Sequence, residues 1–79
     1  MLKPSFTKQF YRDLKKCLKR GKDKAKIKTL ITKLVNKESL SPLYHDHKLA
    51  GNYVGRRECH LEPDWLLIYK ITGDEIIFE

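Results

Sequence analysis

The residues whose types and spacing best suit chemistry lie between Glu58 and Trp65, a stretch that holds an imidazole, carboxylates and an indole. If residues 53–61 form a β-strand, alternation places Arg56, Glu58 and His60 on one face of it. The hairpin predicted after this strand would bring Asp64 and Trp65 near His60. An imidazole, a carboxylate, a guanidinium and an indole in one neighbourhood suit RNA strand cleavage, in which a base takes the 2′-hydroxyl proton and an acid protonates the leaving oxygen. Arg56 would supply a cation near the phosphate, where charge builds up.

Four side chains in and beside this stretch have both a functional and a structural interpretation. Trp65 could stack an unpaired base, worth about 1–3 kcal/mol, but an indole that opens an apolar strand is also typical of core packing. His60 could transfer a proton, or it could be a hydrogen-bonded structural histidine. Arg57 could hold phosphate or pair with a neighbouring glutamate, and Asp64 could act as an acid or simply follow a proline in a turn.

Further imidazoles lie in residues 36–51, where both helical and strand periodicity are absent and turn-forming pairs occur. This segment is predicted to be a long loop, and loops of more than about a dozen residues in compact domains are often functional. It could bring His47 to His60 from the side. The spacing of His45, His47, Cys59 and His60 matches no standard zinc pattern, so no metal site or cofactor is predicted.

Two amphipathic helices precede the loop. The first follows a possible edge strand at residues 1–4 and an N-cap at Ser5 or Thr7, and it ends at Gly21; Asp23 then caps the second. Their apolar positions recur at helical spacing and are Phe6, Phe10, Leu14, Cys17 and Leu18 in the first helix and Ile27, Leu30, Ile31, Leu34 and Val35 in the second. The short joint predicts an antiparallel pair whose apolar stripes face the core.

Strand patterns follow the loop. A Glu-Pro-Asp turn and a Thr-Gly-Asp turn separate candidate strands at residues 53–61, 65–71 and 75–78. Because residues 65–69 are apolar at every position, the middle strand is expected to be covered on both faces. The predicted fold class is α+β: a single domain over residues 1–79, in which two N-terminal antiparallel helices pack on a small, mainly antiparallel sheet.

Charge is distributed unevenly along the chain. Residues 1–37 hold 13 basic and 2 acidic side chains, a balance of +11, whereas residues 38–79 hold 4 and 8, a balance of −4. A basic half of this kind favours a polyanion partner, and we expect Lys15, Lys16 and Lys19 of the first helix to contribute to that binding. No signal peptide or membrane span is expected, and the two widely spaced cysteines suggest reduced thiols in a cytoplasmic protein.

Two motifs then point to a known family. Asp46-His47-Lys48-Leu49-Ala50-Gly51 and the run from Gly55 through His60-Leu61-Glu62-Pro63-Asp64-Trp65 to Lys70 closely resemble the YafQ branch of the RelE-type toxins. The helical first half is similar as well, so the resemblance covers essentially the whole chain. It implies a RelE-like fold and a ribosome-dependent messenger RNA endonuclease of a bacterial type II toxin–antitoxin system.

The resemblance also implies a site and partners. His47 and His60 match active-site histidines of that family, Asp64 an active-site acid, Trp65 a site tryptophan and Arg57 an arginine. The implied reaction needs no metal: the RNA 2′-hydroxyl attacks the adjacent phosphate and leaves a cyclic phosphate and a 5′-hydroxyl. The implied partners are a small acidic antitoxin, in a heteromeric complex, together with the ribosome and messenger RNA.

The chain departs from the family pattern at one end. The family continues beyond the residues that match Phe78-Glu79 with an arginine and a tail that carries another active-site histidine, whereas this sequence ends at Glu79. Loss of a proton-transfer group would cost about 10²–10⁴ in rate. Two alternatives to an active enzyme therefore stay open: a catalytically weak toxin that binds antitoxin or ribosome without cutting, and a nucleic-acid-binding domain defined by its charge alone.

Overall fold

A computed structural model describes residues 1–49, 51 and 55–79. In chain order its elements are strand β1 (Lys3–Phe6), helix α1 (Lys8–Lys19), helix α2 (Lys24–Val35), a 3₁₀ helix (Pro42–Tyr44), and strands β2 (His47–Lys48), β3 (Arg57–Glu62), β4 (Trp65–Thr72) and β5 (Glu75–Phe78). The strands form one sheet in the order β1-β5-β4-β3-β2. Among the strand pairs of the described residues, only β1–β5 is parallel, so the predicted α+β fold with a mainly antiparallel sheet is confirmed.

The helix ends follow the predicted capping chemistry. The Thr7 hydroxyl accepts a hydrogen bond from the Phe10 N–H at 3.1 Å, and the Asp23 carboxylate accepts one from the Ala25 N–H at 2.9 Å. Each cap satisfies a backbone donor that the first helical turn leaves without an intrahelical partner. Between the helices, Gly21 has a φ of +87°, a left-handed conformation that glycine adopts without strain.

The core lies on one face of the sheet. From β4 it takes Trp65, Leu67 and Tyr69, which alternate along the strand. The other buried members come from both helices and the remaining strands: Leu2, Phe10, Ile27, Leu30, Leu34, Cys59, Leu61, Ile76 and Phe78. The intervening β4 residues point the other way, and Leu66 is 47% exposed. The prediction that β4 is covered on both faces was therefore wrong, because one cluster that includes both helices packs against a single face.

The sheet face opposite the core is called the outer face and carries Glu58, His60, Leu66 and Ile68. Pairing between β3 and β4 sets Glu58 opposite Ile68 and His60 opposite Leu66, and paired residues project to the same side. Cys59 and Leu61 are buried on the core side. The predicted alternation of this strand, with Glu58 and His60 together on one face, is confirmed.

The segment predicted to be a loop, of which residues 36–49 and 51 are described, contains more regular structure than expected. It contains the 3₁₀ helix and the two-residue strand β2, whose His47 and Lys48 pair with Glu58 and Arg57 of β3. Two residues are too few to show a period, so the sequence carried no signal for this strand. The start of the predicted strand 53–61 falls partly on residues 53 and 54, which lie outside the described residues, and β3 begins at Arg57.

The strand connections match the predicted turns. Glu62 pairs with Trp65 across Pro63-Asp64, and the register shifts between His60 and Glu62. Thr72 pairs with Glu75 across the second turn. Within residues 1–49, 51 and 55–79, neither helix is both long and apolar enough to cross a membrane.

Candidate active site

Three side chains meet on the outer face near the edge of the sheet: His47, Glu58 and His60. One oxygen of the Glu58 carboxylate lies 3.3 Å from His47 Nε2, and the other lies 4.0 Å from His60 Nε2. The two imidazole rings are 5.9 Å apart between centroids. Strand alternation brings Glu58 and His60 together, and the pairing of β2 with β3 brings His47 to Glu58. One carboxylate therefore stands between two imidazoles.

The three side chains of this cluster differ in their exposure to solvent. The Glu58 side chain is 14% exposed, that of His60 30%, and that of His47 48%. The carboxylate is thus partly withdrawn from water, where its attraction to a protonated imidazole is stronger than in bulk solvent. The histidines remain accessible to a ligand. Such an arrangement can accept a proton at one imidazole and donate one from the other.

The backbone around His45 determines which His47 nitrogen can act as a base. His45 itself has a left-handed φ of +48° and donates its N–H to the Pro42 carbonyl at 3.1 Å, closing the 3₁₀ turn. Its carbonyl oxygen lies 2.6 Å from His47 Nδ1. Because a carbonyl oxygen only accepts, Nδ1 carries the proton in this contact. His47 Nε2 is therefore left to face Glu58 and to exchange a proton.

A cavity of about 660 Å³ adjoins the cluster. It is lined by Leu43, His45, His47, His60, Leu61, Glu62 and Pro63. The His45 ring meets the His60 ring edge-on at 5.6 Å, and Leu43 is largely exposed at the cavity. The volume lies in the range of small-ligand sites in proteins, of about 300–1,000 Å³. Imidazoles beside apolar walls suit a nucleotide whose phosphate faces the histidines.

Glu58 was not selected by sequence reasoning, although a usable signal was present. The alternation of the strand had already placed it on the face of His60. From the sequence, Glu58 was interpreted only as a possible ion-pair partner of Arg57. Its neighbour in the structure is instead His47, from a strand that the sequence did not reveal.

Asp64 occupies a different position from the histidines. Its side chain is 74% exposed, and its carboxylate accepts a hydrogen bond from Lys22 Nζ at 2.8 Å. Lys22 also donates to Glu62 at 2.6 Å, which ties the β3–β4 hairpin to the joint between the helices. The hydrogen bond from Lys22 lowers the pKa of Asp64 and, reciprocally, raises that of Lys22. Asp64 does not line the cavity, and its catalytic role stays a prediction.

Trp65 belongs to the core. It is 4% exposed and borders a small cavity on the helix side, next to Phe10 and Leu14 of α1 and Ile27 of α2. In this position the ring has no exposed face on which a base could stack. The burial supports the core-packing interpretation, while its role toward RNA stays a prediction.

The two arginines of the motif point to opposite faces. Arg57 Nε donates to the Asp46 carboxylate at 3.2 Å on the core side of the sheet. Arg56, on the outer face, bonds the carboxylate of Glu79. The structure thus separates Arg57 from the histidine cluster.

The lysines predicted to bind a polyanion, Lys15, Lys16 and Lys19, are exposed on α1, and their contacts with RNA or antitoxin stay predictions.

The cluster could also hold a metal ion. One ligand atom each from His47, Glu58 and His60 lies within 4.8 Å of the other two, a set that no sequence spacing suggested.

Cys59, part of the zinc alternative, is fully buried on the core side. Burial, followed by the charges of Asp46 and Glu58, raises the pKa of its thiol to about 12. Cys59 is therefore neither a ligand of this cluster nor a nucleophile.

Two helices on one face of a mixed five-stranded sheet, with two histidines around a carboxylate on the other face, define an α+β protein with a candidate site on its sheet. A family model described as the bacterial toxin of type II toxin–antitoxin system, YafQ, matches residues 2–79. The chain belongs to this YafQ toxin family.

Relatives and solved structures agree with this assignment. The mRNA interferase toxin YafQ of Escherichia coli strain K12 is 44% identical over 75 residues, which cover 94% of this chain and 82% of the relative. A copper-bound mutant toxin from Helicobacter pylori superposes with a TM-score of 0.95 at 39% identity, covering 100% of this chain and 90% of the other. A DinJ–YafQ complex from E. coli gives a TM-score of 0.90 at 41% identity, covering 100% and 89%.

Proposed function

We propose that this protein is a messenger RNA endoribonuclease toxin whose proton-transfer groups are His47 and His60, with Glu58 between them. The observation that carries the proposal is the carboxylate held 3.3 Å and 4.0 Å from two accessible imidazoles beside a cavity. Family membership supports it, because a 44% identical relative is named an mRNA interferase.

The reaction proposed is transesterification within the RNA strand. His47 Nε2 accepts the proton of a 2′-hydroxyl, whose oxygen forms a bond to the adjacent phosphorus. The bond from phosphorus to the 5′-oxygen breaks, and His60 in its protonated form gives that oxygen a proton. The products are a 2′,3′-cyclic phosphate and a 5′-hydroxyl. Each proton transfer contributes about 10²–10⁴-fold in rate, and Glu58 stabilises the imidazolium formed at His47.

Both proton transfers in this scheme use side chains of the chain itself, so we propose that the reaction requires no metal ion. We also propose that it depends on the ribosome, which would hold the message against the cavity. The excess of +11 in residues 1–37 supports contact with ribosomal RNA.

The same basic half would attract an acidic antitoxin. An antitoxin partner is also supported by the E. coli relative, whose structure was solved as a DinJ–YafQ toxin–antitoxin complex. We propose that Lys15, Lys16 and Lys19 contribute to one or both of these contacts. Their replacement by Glu is expected to weaken binding to ribosomes or to the cognate antitoxin at low salt, because three charges are reversed. Affinities for both partners that equal those of the wild type at low salt would remove these lysines from the interface.

A second candidate function is inhibition by a metal ion. A Helicobacter toxin of the same fold is copper-bound, and two imidazole nitrogens with a carboxylate oxygen suit Cu²⁺ or Zn²⁺. We propose that such an ion binds His47, Glu58 and His60 and blocks proton transfer. Calorimetric titration with Cu²⁺ should show one site that is lost in Glu58→Gln. Equal affinity in that variant would place the ion elsewhere.

The decisive test is cleavage of a defined message in a purified translation system. We expect cleavage with a 2′,3′-cyclic phosphate end, unchanged by EDTA at a concentration that leaves ribosomal magnesium in excess. Naked RNA should be cut far more slowly. Abolition by EDTA of cleavage that magnesium alone does not restore would contradict the metal-free scheme. Binding to ribosomes or antitoxin without any cleavage would instead favour the non-cutting alternative.

A further inference from the structure

A second cluster lies beneath the histidines, on the core side of the sheet: Asp46, Arg57 and Tyr69. The Tyr69 hydroxyl donates to Asp46 Oδ1 at 2.8 Å, and Arg57 Nε donates to the same oxygen at 3.2 Å. Asp46 thus receives two hydrogen bonds, one from β4 and one from β3. It also stands in the chain directly between His45 and His47.

The two residues that donate to Asp46 lie on paired strands of the sheet. Tyr69 is 1% exposed and packs against Phe78, so its hydroxyl has little freedom to move. Arg57 is paired in the β-ladder with both Lys48 of β2 and Tyr69 of β4. Burial opposes the charge of Arg57, yet the hydrogen bond to Asp46 leaves its pKa raised. The three side chains form a charge-assisted network that is only partly exposed to water.

Alternation along the backbone connects this network to the histidine cluster. Consecutive residues of an extended segment point to opposite faces. A bond that holds Asp46 on the core side therefore directs His47 to the outer face, where it meets Glu58. The carbonyl of His45, the residue before Asp46, accepts the Nδ1 proton of His47.

We propose that Tyr69, Asp46 and Arg57 are positioning residues for His47, which hold its ring in place and keep its proton on Nδ1. This inference rests on the proposed function for its kinetic consequence. It assigns Arg57, expected from the sequence to bind RNA, a role that is exerted through the catalytic histidine. It also explains why an aspartate precedes the histidine in this loop.

A purely structural role for the same network is the competing explanation, and Tyr69→Phe separates the two. The substitution removes one oxygen atom and keeps the buried ring. Misplacement of a catalytic group can cost up to about 100-fold. We expect Tyr69→Phe to lower kcat about 10- to 100-fold, with KM within about twofold, because substrate contacts are unchanged. Tyr11→Phe, on the exposed surface of α1, is the matched control and should match the wild type.

A double-mutant cycle tests whether the effect passes through His47. In a His47→Ala background, Tyr69→Phe should change kcat by less than about twofold, since the group it positions is gone. If Tyr69→Phe lowers kcat by the same factor in both backgrounds, the proposal is overturned and a general structural role is favoured. Asp46→Asn, which keeps the size of the side chain, should behave as Tyr69→Phe does.

Nuclear magnetic resonance of the imidazole nitrogens tests the positioning without any activity. In the wild type we expect the His47 signals, assigned by their absence in His47→Ala, to show a proton on Nδ1. Tyr69→Phe should shift them toward the exchanging tautomers of a free imidazole, while the amide spectrum still reports a folded chain. Identical His47 signals in both proteins would overturn the inference. A wild type that shows the Nδ1 proton but cuts no RNA would refute the proposed function alone.

Discussion

The two halves of the stretch from Glu58 to Trp65 differ in the face of the sheet to which their side chains point. The first half directs Glu58 and His60 to the outer face, where they meet His47. The second half turns toward the helices: Asp64 bonds Lys22, and Trp65 is buried in the core. The register shift between His60 and Glu62 and the turn after it separate the two. Residues adjacent in a motif therefore need not share one site.

The largest effect is expected from the first half. His60→Ala should lower the single-turnover rate of message cleavage on ribosomes about 10²–10⁴-fold, because it removes the group that we propose protonates the leaving oxygen. Glu58→Gln should cost less, since it weakens a neighbour of the histidines rather than removing a proton donor. Full activity in His60→Ala would show that His60 does not protonate the leaving oxygen.

Trp65→Ala should act on stability rather than on chemistry. Removal of a buried indole costs about 3–5 kcal/mol in the free energy of unfolding, which urea denaturation can measure. Leu66→Ala is the matched neighbour, exposed on the outer face, and should lose less than about 1 kcal/mol. A stable Trp65→Ala protein with impaired RNA binding would restore the stacking role predicted from the sequence.

A smaller effect is expected at Asp64. If it anchors the hairpin through Lys22, Asp64→Asn should leave kcat within about threefold of the wild type, against the 10²–10⁴-fold expected of a proton-transfer group. Lys22→Met, which removes the same ion pair from the other side, should give a matching result. A large loss of kcat in Asp64→Asn alone would bring Asp64 into the active site.

The smallest effect is a pH dependence of stability from the same ion pair. Lys22 lowers the pKa of Asp64 below its ordinary value of 3.8 in the folded state. The unfolded chain then binds the proton more readily, so the contribution is present above about pH 4 and is lost as the pH falls through the lower, folded pKa. The difference in Tm between wild type and Asp64→Asn should shrink from pH 6 to pH 2 and also with added salt. A constant difference would exclude this ion pair as its cause.

Much of the fold was predictable because it depends on local chemistry. The caps at Thr7 and Asp23, the helical spacing of apolar residues and the turns around Pro63 and Gly73 all act within a few positions of the chain. The alternation that joins Glu58 to His60 is local as well. These features were confirmed in the structure, except that Phe6, predicted to begin the apolar stripe of the first helix, lies in strand β1.

The errors concern contacts between distant residues. Strand β2 is too short to have a period, and it exists because it pairs with β3. The exposure of Leu66 depends on which face of the sheet the helices cover, and an apolar run does not specify that face. The ion pair of Arg57 with Asp46 was not foreseen, because Asp46 lies 11 residues away in a segment that had been interpreted as loop; the expected contact of Arg57 with RNA stays a prediction.

The sequence by itself determined the family, the two helices, strands β3 to β5, the basic N-terminal half and the position of Glu58 and His60 on one strand face. The tertiary structure decided which residues join them. It brought His47 to Glu58 through β2 and drew Trp65 into the core. It also placed Tyr69, 23 residues from Asp46, beneath the loop that carries the histidine. The physical reason is that side-chain type and spacing act locally, whereas a site on a sheet depends on strand register and on the face that the helices cover.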